Sequence, residues 1–172
     1  MMIVLTGGSK CGKSSLAEKL LLRLGQEDVE GMVYLATMQV IDGEDQRIVQ
    51  RHQRIRAGKG FAVVEQCRSL DTLDLPPETA LLLEDVPNVL ANEMFGGGGP
   101  TCALKGILHL HQHCRHLIIV TNEVGSDGFS YAPETTQYID ELGKLNQALA
   151  KAADCVAEVV LGIPQLLKGK LP

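Results

Sequence analysis

The stretch that decides the fold reads Met2-Ile3-Val4-Leu5-Thr6-Gly7-Gly8-Ser9-Lys10-Cys11-Gly12-Lys13-Ser14. Its apolar beginning, from Met2 to Leu5, predicts a buried strand, and the glycine-rich remainder fits the pattern G-x-x-x-x-G-K-[ST]. Residues 14–24 have helix-forming composition, with a leucine at every fourth position. A strand, a loop and a helix in this order are the context in which the pattern indicates a phosphate-binding loop.

Phosphate chemistry explains the residue types of this loop. Glycines let the backbone approach a polyphosphate closely, and the helix that follows points unpaired N–H groups at it. Lys13 is expected to reach the β and γ oxygens as a catalytic group, and Ser14 to ligate Mg²⁺. The predicted nucleotide contacts of the loop are Gly7, Gly8, Ser9, Lys10, Cys11, Gly12, Lys13 and Ser14.

Length and composition bound the class of protein. The 172 residues predict one domain, residues 1–172, and the 45% of hydrophobic residues are typical of a globular protein. A net charge of −5 argues against general nucleic-acid binding, and no apolar stretch approaches the length of a membrane span. Five cysteines without a CxxC pair, in a chain that opens on a strand and not on a signal peptide, indicate reduced thiols and a cytoplasmic protein.

Alternating strands and helices predict an α/β domain with a mostly parallel sheet and helices on both faces. Long helices are expected at residues 102–115 and 134–153, and a further helix in residues 86–95, beginning after Pro87. A short tail is expected at residues 164–172. Further strands are expected at residues 32–37, 61–65, 80–83, 116–121 and 155–161.

The apolar run Ala80 to Leu83 ends in two carboxylates, Glu84 and Asp85. A P-loop enzyme needs an acid at the end of such a strand, where it holds Mg²⁺ directly or through water. Glu84 is therefore predicted as a metal ligand together with Ser14.

Two histidine-bearing stretches allow more than one interpretation. Residues 47–59 carry five cationic side chains around His52, a pattern that by itself favours a solvated basic helix. His109, His113 and His116 would share a helical face, so a metal site is conceivable there. Because neither a cysteine pair nor an acid cluster lies nearby, a partly exposed helix is the better interpretation of this second stretch.

The order and spacing of four segments give a specific resemblance. They are the phosphate-binding loop, Tyr34-Leu35-Ala36-Thr37, the segment from Arg47 to Arg56, and Thr121-Asn122-Glu123-Val124-Gly125 with Asn146-Gln147 downstream. Together they span nearly the whole chain. The sequence resembles the bifunctional adenosylcobinamide kinase/adenosylcobinamide-phosphate guanylyltransferase family of cobalamin biosynthesis.

The resemblance implies a RecA-like fold, a trimer, and two reactions with GTP or ATP and adenosylcobinamide as substrates. His52 matches the histidine that carries GMP, and neutral imidazole is a competent nucleophile near neutral pH. The sequence departs from the family pattern after Arg56, and it contains no tryptophan. Beyond the phosphate-binding loop, the nucleotide contacts implied by the resemblance are Ala36, Thr37, Met38, Gln53, Arg54, Ile55, Arg56, Glu65 and Glu84.

Two alternatives remain open at this point. One is a P-loop kinase of another small metabolite, in which His52 is merely structural. The other is a nucleotide-binding regulatory module without catalytic activity. A covalent nucleotide on the protein would distinguish the family activity from both.

Overall fold

The computed structural model describes residues 1–26, 31–39, 60–125 and 127–172. The basic segment with His52, including the expected nucleotide contacts from Gln53 to Arg56, lies outside the described residues. The strands of the described part are β1 (Met2–Thr6), β2 (Gly31–Ala36), β3 (Ala62–Glu65), β4 (Thr79–Glu84), β5 (His116–Val120), β6 (Cys155–Val160) and β7 (Ile163–Lys168). The helices are α1 (Lys13–Leu24), α2 (Val86–Phe95), α3 (Pro100–His113) and α4 (Pro133–Ala152), with a short 3-10 helix at Leu70–Thr72.

The seven strands form one sheet in the order β3-β2-β4-β5-β1-β6-β7. Neighbouring strands are parallel except for β6 and β7, which are antiparallel. The prediction of a mostly parallel α/β sheet is therefore confirmed. Strand β1, which leads into the phosphate-binding loop, lies between β5 and β6, so the loop emerges from the middle of the carboxyl edge.

Two hydrophobic cores cover the two faces of the sheet, as predicted. Helix α1 packs on one face through Ala17, Leu20, Leu21 and Leu24, each of the leucines contributing about 1.5–3 kcal/mol by its burial. Helices α2, α3 and α4 cover the other face. Helix α4 faces the sheet with Leu142, Leu145 and Leu149, whereas Ala152 is exposed.

The start of α2 lies within two residues of the predicted one, at Val86 and not after Pro87. The helix begins at Val86 because the carboxylate of Asp85 caps it, accepting a 3.0 Å hydrogen bond from the Asn88 N–H. Pro87 lies in the first turn, where its missing N–H costs nothing. Glu84, the last residue of β4, is thus separated from the first turn of α2 only by the capping residue Asp85.

The expected tail at residues 164–172 is wrong, because β7 pairs there with β6. The turn between the two strands places Leu161 at φ 52° and Gly162 at φ 82°, the left-handed geometry of a tight hairpin. Pro164 is tolerated because β7 is an edge strand. The N–H of Gly162 donates a 2.8 Å hydrogen bond to the Cys11 carbonyl, so this hairpin supports the phosphate-binding loop.

Within the described ranges, every helix is too short or too polar to cross a membrane.

Candidate active site

The phosphate-binding loop begins where β1 passes close to β6. Gly7 has φ 136°, and a Cβ added to it would lie 2.5 Å from the Val159 carbonyl oxygen. Only glycine fits this position, since both the dihedral angle and the close backbone exclude a side chain. The crest of the loop, Gly8, Ser9 and Lys10, is exposed to solvent.

Lys13 is the first residue of α1, and its side chain is only 6% exposed. Its ammonium group donates hydrogen bonds to the carbonyl oxygens of Gly7 at 2.8 Å and Gly8 at 2.7 Å. The helix is preceded by Gly12, which has no side chain to cap the first turn. A buried positive charge and uncapped N–H groups therefore lie together in the loop, an arrangement suited to binding phosphate.

Glu84 connects the phosphate-binding loop to the neighbouring strands. The Ser14 hydroxyl donates a hydrogen bond to Glu84 Oε1, and the Tyr34 hydroxyl donates one of 2.6 Å to Oε2. Tyr34 lies opposite Leu82 in the β2–β4 ladder, two residues below Glu84, so both side chains are on the α1 face of the sheet. The structure thus brings together the two residues predicted to ligate Mg²⁺.

Thr37 holds the backbone that follows β4. Its side chain is fully buried, and its hydroxyl donates to the carbonyl oxygens of Glu84 and Asp85 at 3.0 Å. The same hydroxyl accepts a 2.8 Å hydrogen bond from the Asp85 N–H, across a peptide bond that is cis. The Thr37 side chain therefore positions Glu84, and the Thr37 backbone N–H and C=O are hydrogen-bonded to the Glu84 carbonyl and to Asn92 Nδ2, respectively.

Three predicted nucleotide contacts form a row along the carboxyl edge of the sheet. Ala36 lies opposite Glu65 on one side and opposite Glu84 on the other. Glu65 is exposed and Met38 is half-buried. Ala36, Glu65 and Glu84 thus end three neighbouring strands at the same edge of the sheet, while β3 lies four strands from β1 and its phosphate-binding loop.

The segment after β5 is fixed to α4 by one asparagine. The Thr121 hydroxyl donates a 2.7 Å hydrogen bond to Asn146 Oδ1, and Asn146 Nδ2 donates a 3.0 Å bond to the Asn122 carbonyl. Among the described residues, Asn122 Oδ1 is buried and accepts no hydrogen bond. The polar residue Asn146 inside α4 therefore fixes the backbone that follows β5.

Sequence reasoning missed the positioning roles of Tyr34 and Asn92. Asn92 Nδ2 donates to the carbonyl oxygens of Thr37 at 2.8 Å and Cys67 at 3.1 Å, tying α2 to two loops of the edge. A tyrosine inside a buried parallel strand was a signal, because its hydroxyl needs a partner there.

Burial changes the acidity of two groups behind the site. Burial raises the pKa of the Asp85 carboxyl above its ordinary value, and the negative charge of Glu84 adds to the effect. Burial likewise raises the pKa of Tyr138 to about 12, with a smaller contribution from Asp85. The Tyr138 hydroxyl donates to the Pro87 carbonyl at 3.1 Å.

Among the described residues, Ser14 and Glu84 fit a Mg²⁺ site that is completed by substrate phosphates and water. The described part of the chain contains no group of three or more His, Cys, Asp or Glu side chains able to hold a metal, and His109 and His113 instead stack at 4.0 Å on α3. The adjacent oxygens of Ser14 and Glu84 are the donors that Mg²⁺ uses when substrate phosphates and water complete its shell.

The phosphate-binding loop follows the central parallel strand β1, and its Ser14 contacts the Glu84 carboxylate on β4, two strands away in the sheet. This arrangement defines a protein of the P-loop NTPase class. Solved structures support the fold. The flagellar accessory protein FlaH of Methanocaldococcus jannaschii superposes with a TM-score of 0.52 at 12% identity, over 98% of this chain and 78% of that one. An ATPase from the type III secretion system of pathogenic bacteria gives 0.50 at 12% identity, over 96% and 56%.

Sequence comparison identifies the family. Residues 3–167 match the family described as cobinamide kinase/cobinamide phosphate guanyltransferase. The bifunctional adenosylcobalamin biosynthesis protein CobU of Salmonella typhimurium is 34% identical over 98% of this chain and 100% of its own length. The corresponding protein CobP of Pseudomonas aeruginosa is 31% identical over 99% of both chains. The chain belongs to this family of enzymes, and the resemblance seen in the sequence is confirmed.

Proposed function

We propose that this enzyme phosphorylates adenosylcobinamide and then transfers GMP to the product through a covalent intermediate on His52. The observation that carries the proposal is the contact between Ser14 and Glu84 beside Lys13, in a chain that matches the family along nearly its whole length. These side chains are placed to bind the phosphates of a nucleotide at the carboxyl edge of the sheet.

In the first reaction, the hydroxyl oxygen of the aminopropanol arm attacks the γ-phosphorus of GTP or ATP. The bond from this phosphorus to the β–γ bridging oxygen breaks, the nucleoside diphosphate leaves with the electron pair, and the hydroxyl proton passes to water. The Lys13 ammonium, now bonded to the Gly7 and Gly8 carbonyls, would turn to the β and γ oxygens and stabilise the charge that develops there.

In the second reaction, an imidazole nitrogen of His52 attacks the α-phosphorus of GTP, and pyrophosphate leaves. A phosphate oxygen of the phosphorylated corrinoid then attacks the same phosphorus, the P–N bond breaks, and the histidine is regenerated. This path replaces one difficult transfer by two easier ones. Arg51, Arg54 and Arg56 are the proposed partners of the α-phosphate, since a guanidinium group can donate two hydrogen bonds to phosphate oxygens.

The metal fits the same arrangement. Ser14 and Glu84 would hold Mg²⁺, which neutralises phosphate charge during transfer. When Mg²⁺ is bound, we expect the Ser14 hydroxyl to exchange its hydrogen bond with Glu84 for a ligand bond. We further propose a homotrimer, on the basis of the family resemblance, and a cytoplasmic protein, on the basis of its five cysteines without a CxxC pair.

Labelling with nucleotide tests the covalent step. Purified protein is incubated with Mg²⁺ and GTP carrying label at the α-phosphate, without corrinoid, and then denatured. We expect acid-labile, base-stable label on the wild type and none on His52→Ala. The matched control is His113→Ala, which removes an exposed histidine on α3 and should keep the label. Unlabelled wild-type protein that still binds GTP would contradict the histidine intermediate and leave a P-loop kinase.

A further inference from the structure

A cavity of about 480 Å³ lies between α4 and the sheet, on the face opposite α1. Its inner walls are the buried side chains of Val4 on β1, Val156 on β6 and Leu142 on α4. Exposed residues, Glu123 and Gln147 among them, line its mouth. The cavity is therefore mainly apolar and carries a few polar side chains at its mouth, where Val124 and Leu167 are also exposed, and this combination is typical of small-molecule sites.

The cavity reaches the phosphate-binding loop through Thr6. This residue lines the cavity and directly precedes Gly7, the first residue of the loop. Glu84 and Ser14, by contrast, meet on the α1 side of the sheet. A phosphate held at the carboxyl edge by the loop would therefore lie between the α1 side and the cavity.

We propose that this cavity binds the alcohol-bearing amide arm of the corrinoid acceptor, an inference that rests on the proposed function. Phosphoryl transfer places the attacking and leaving oxygens roughly in line, on opposite sides of the phosphorus. A nucleotide held by the loop and α1 leaves the cavity side free for the attacking alcohol.

Size and polarity agree with this occupant. Small-molecule cavities measure about 300–1,000 Å³, so a space of this volume accepts one arm and leaves a corrin macrocycle outside. The methyl-bearing carbons of the arm would pack against Val4, Leu142 and Val156. Glu123 can accept hydrogen bonds from its hydroxyl or amide N–H, and the Gln147 amide can pair with its carbonyl.

Filling the cavity from α4 tests the proposal. Gly143 lines the cavity, and a Cβ added there meets no atom within 4 Å, so Gly143→Leu projects a side chain into open space. The change should not unfold the protein, since leucine favours a helix interior over glycine. We expect the KM for adenosylcobinamide in the kinase reaction to rise about tenfold or more, while GTP affinity and labelling of His52 stay at wild-type levels.

The matched control is Lys144→Leu, which adds the same side chain at the next, exposed position, outside the cavity lining. Glu123→Gln is a second test that keeps the volume and removes the charge at the mouth, and should raise the same KM about threefold to tenfold. An unchanged KM in both variants overturns the proposal, as does a KM in Gly143→Leu that rises no further than in the control. Loss of nucleotide binding along with acceptor binding in Gly143→Leu also overturns it. Failure of the proposed function is separate, because then the wild type neither phosphorylates the corrinoid nor becomes labelled.

Discussion

The Tyr34 hydroxyl donates a 2.6 Å hydrogen bond to Oε2 of Glu84, the carboxylate whose other oxygen accepts from Ser14. Tyr34 is itself fixed, because it is 2% exposed and its ring stacks on Phe61 at a centroid distance of 6.0 Å. A buried tyrosine thus sets the direction in which Glu84 presents its charge to the phosphate-binding loop.

Tyr34→Phe keeps the ring stack and removes the hydroxyl. We expect the Mg²⁺ concentration for half-maximal kinase activity to rise about threefold to tenfold, since the carboxylate loses one of its two described donors. The free energy of unfolding should fall by only about 1 kcal/mol. Mg²⁺ titrations of activity and denaturant unfolding measure the two effects.

Tyr131→Phe serves as the control for this experiment. It deletes a hydroxyl that also donates to a carboxylate, that of Asp127, but both residues are exposed. The control should keep the wild-type Mg²⁺ dependence. Equal Mg²⁺ dependence in Tyr34→Phe and the wild type would show that the tyrosine does not position Glu84.

Glu84→Gln should lower kcat by about a hundredfold or more, the scale seen when one preorganised electrostatic group is lost. The amide keeps the shape of the side chain, but it removes the charge and places an NH₂ group against a hydroxyl donor. Steady-state kinetics at saturating Mg²⁺ measure the loss. Glu78→Gln, which alters an exposed carboxylate paired with Arg115, should leave kcat unchanged, and a small effect at Glu84 would argue against its metal role.

Asp85→Asn should stabilise the protein at neutral pH. Burial raises the pKa of this carboxyl in the folded state, so the folded state binds its proton more tightly than the unfolded state does. The protonated Asp85 carboxyl therefore stabilises the folded state at pH values below its ordinary pKa of 3.8. This stabilisation is lost as the pH rises through the raised pKa of the folded state. Asparagine remains a good helix cap, so the variant avoids this loss.

Thermal unfolding from pH 4 to pH 8 checks the Asp85 prediction. The difference in melting temperature between Asp85→Asn and the wild type should grow as pH rises. A difference that shrinks with pH would mean that the folded protein stabilises the charged carboxylate instead.

Gly162→Val should weaken nucleotide binding about threefold to tenfold and cost about 1–2 kcal/mol of stability. Valine strains a backbone at φ 82°, and the Gly162 N–H supports the loop through Cys11. Gly128→Val is the matched control, since Gly128 has φ 79° and equally open surroundings. Nucleotide titrations should separate the two variants, and equal affinities would show that the hairpin does not support the loop.

Short sequence patterns predicted the elements that are determined by residues adjacent in the chain. The strand before Gly7, the helix after Gly12 and the acid at Glu84 are each visible in a few consecutive letters. The pairing of Tyr34 with Glu84 was not visible, because it depends on the register between β2 and β4.

The same limit explains the missed strand β7. Proline is rare inside strands, and Pro164 is acceptable in β7 only because this strand lies at the sheet edge. The cavity was equally hidden, since its walls come from β1, β6 and α4, which are far apart in the chain. The role of His52 and the cationic residues around it stays a prediction, because this segment lies outside the described residues.

The position of β1 determines when the nucleotide site can assemble during synthesis of the chain. Met2 pairs with Leu117 and Val4 with Val156, so both neighbours of this strand leave the ribosome long after it does. Such distant pairings form slowly, because the chain loses the entropy of closing a long loop before the strand contacts contribute favourable energy. The phosphate-binding loop can therefore hold a nucleotide only after β6 has been synthesised, and the growing chain has to keep an apolar strand from misassembling until then.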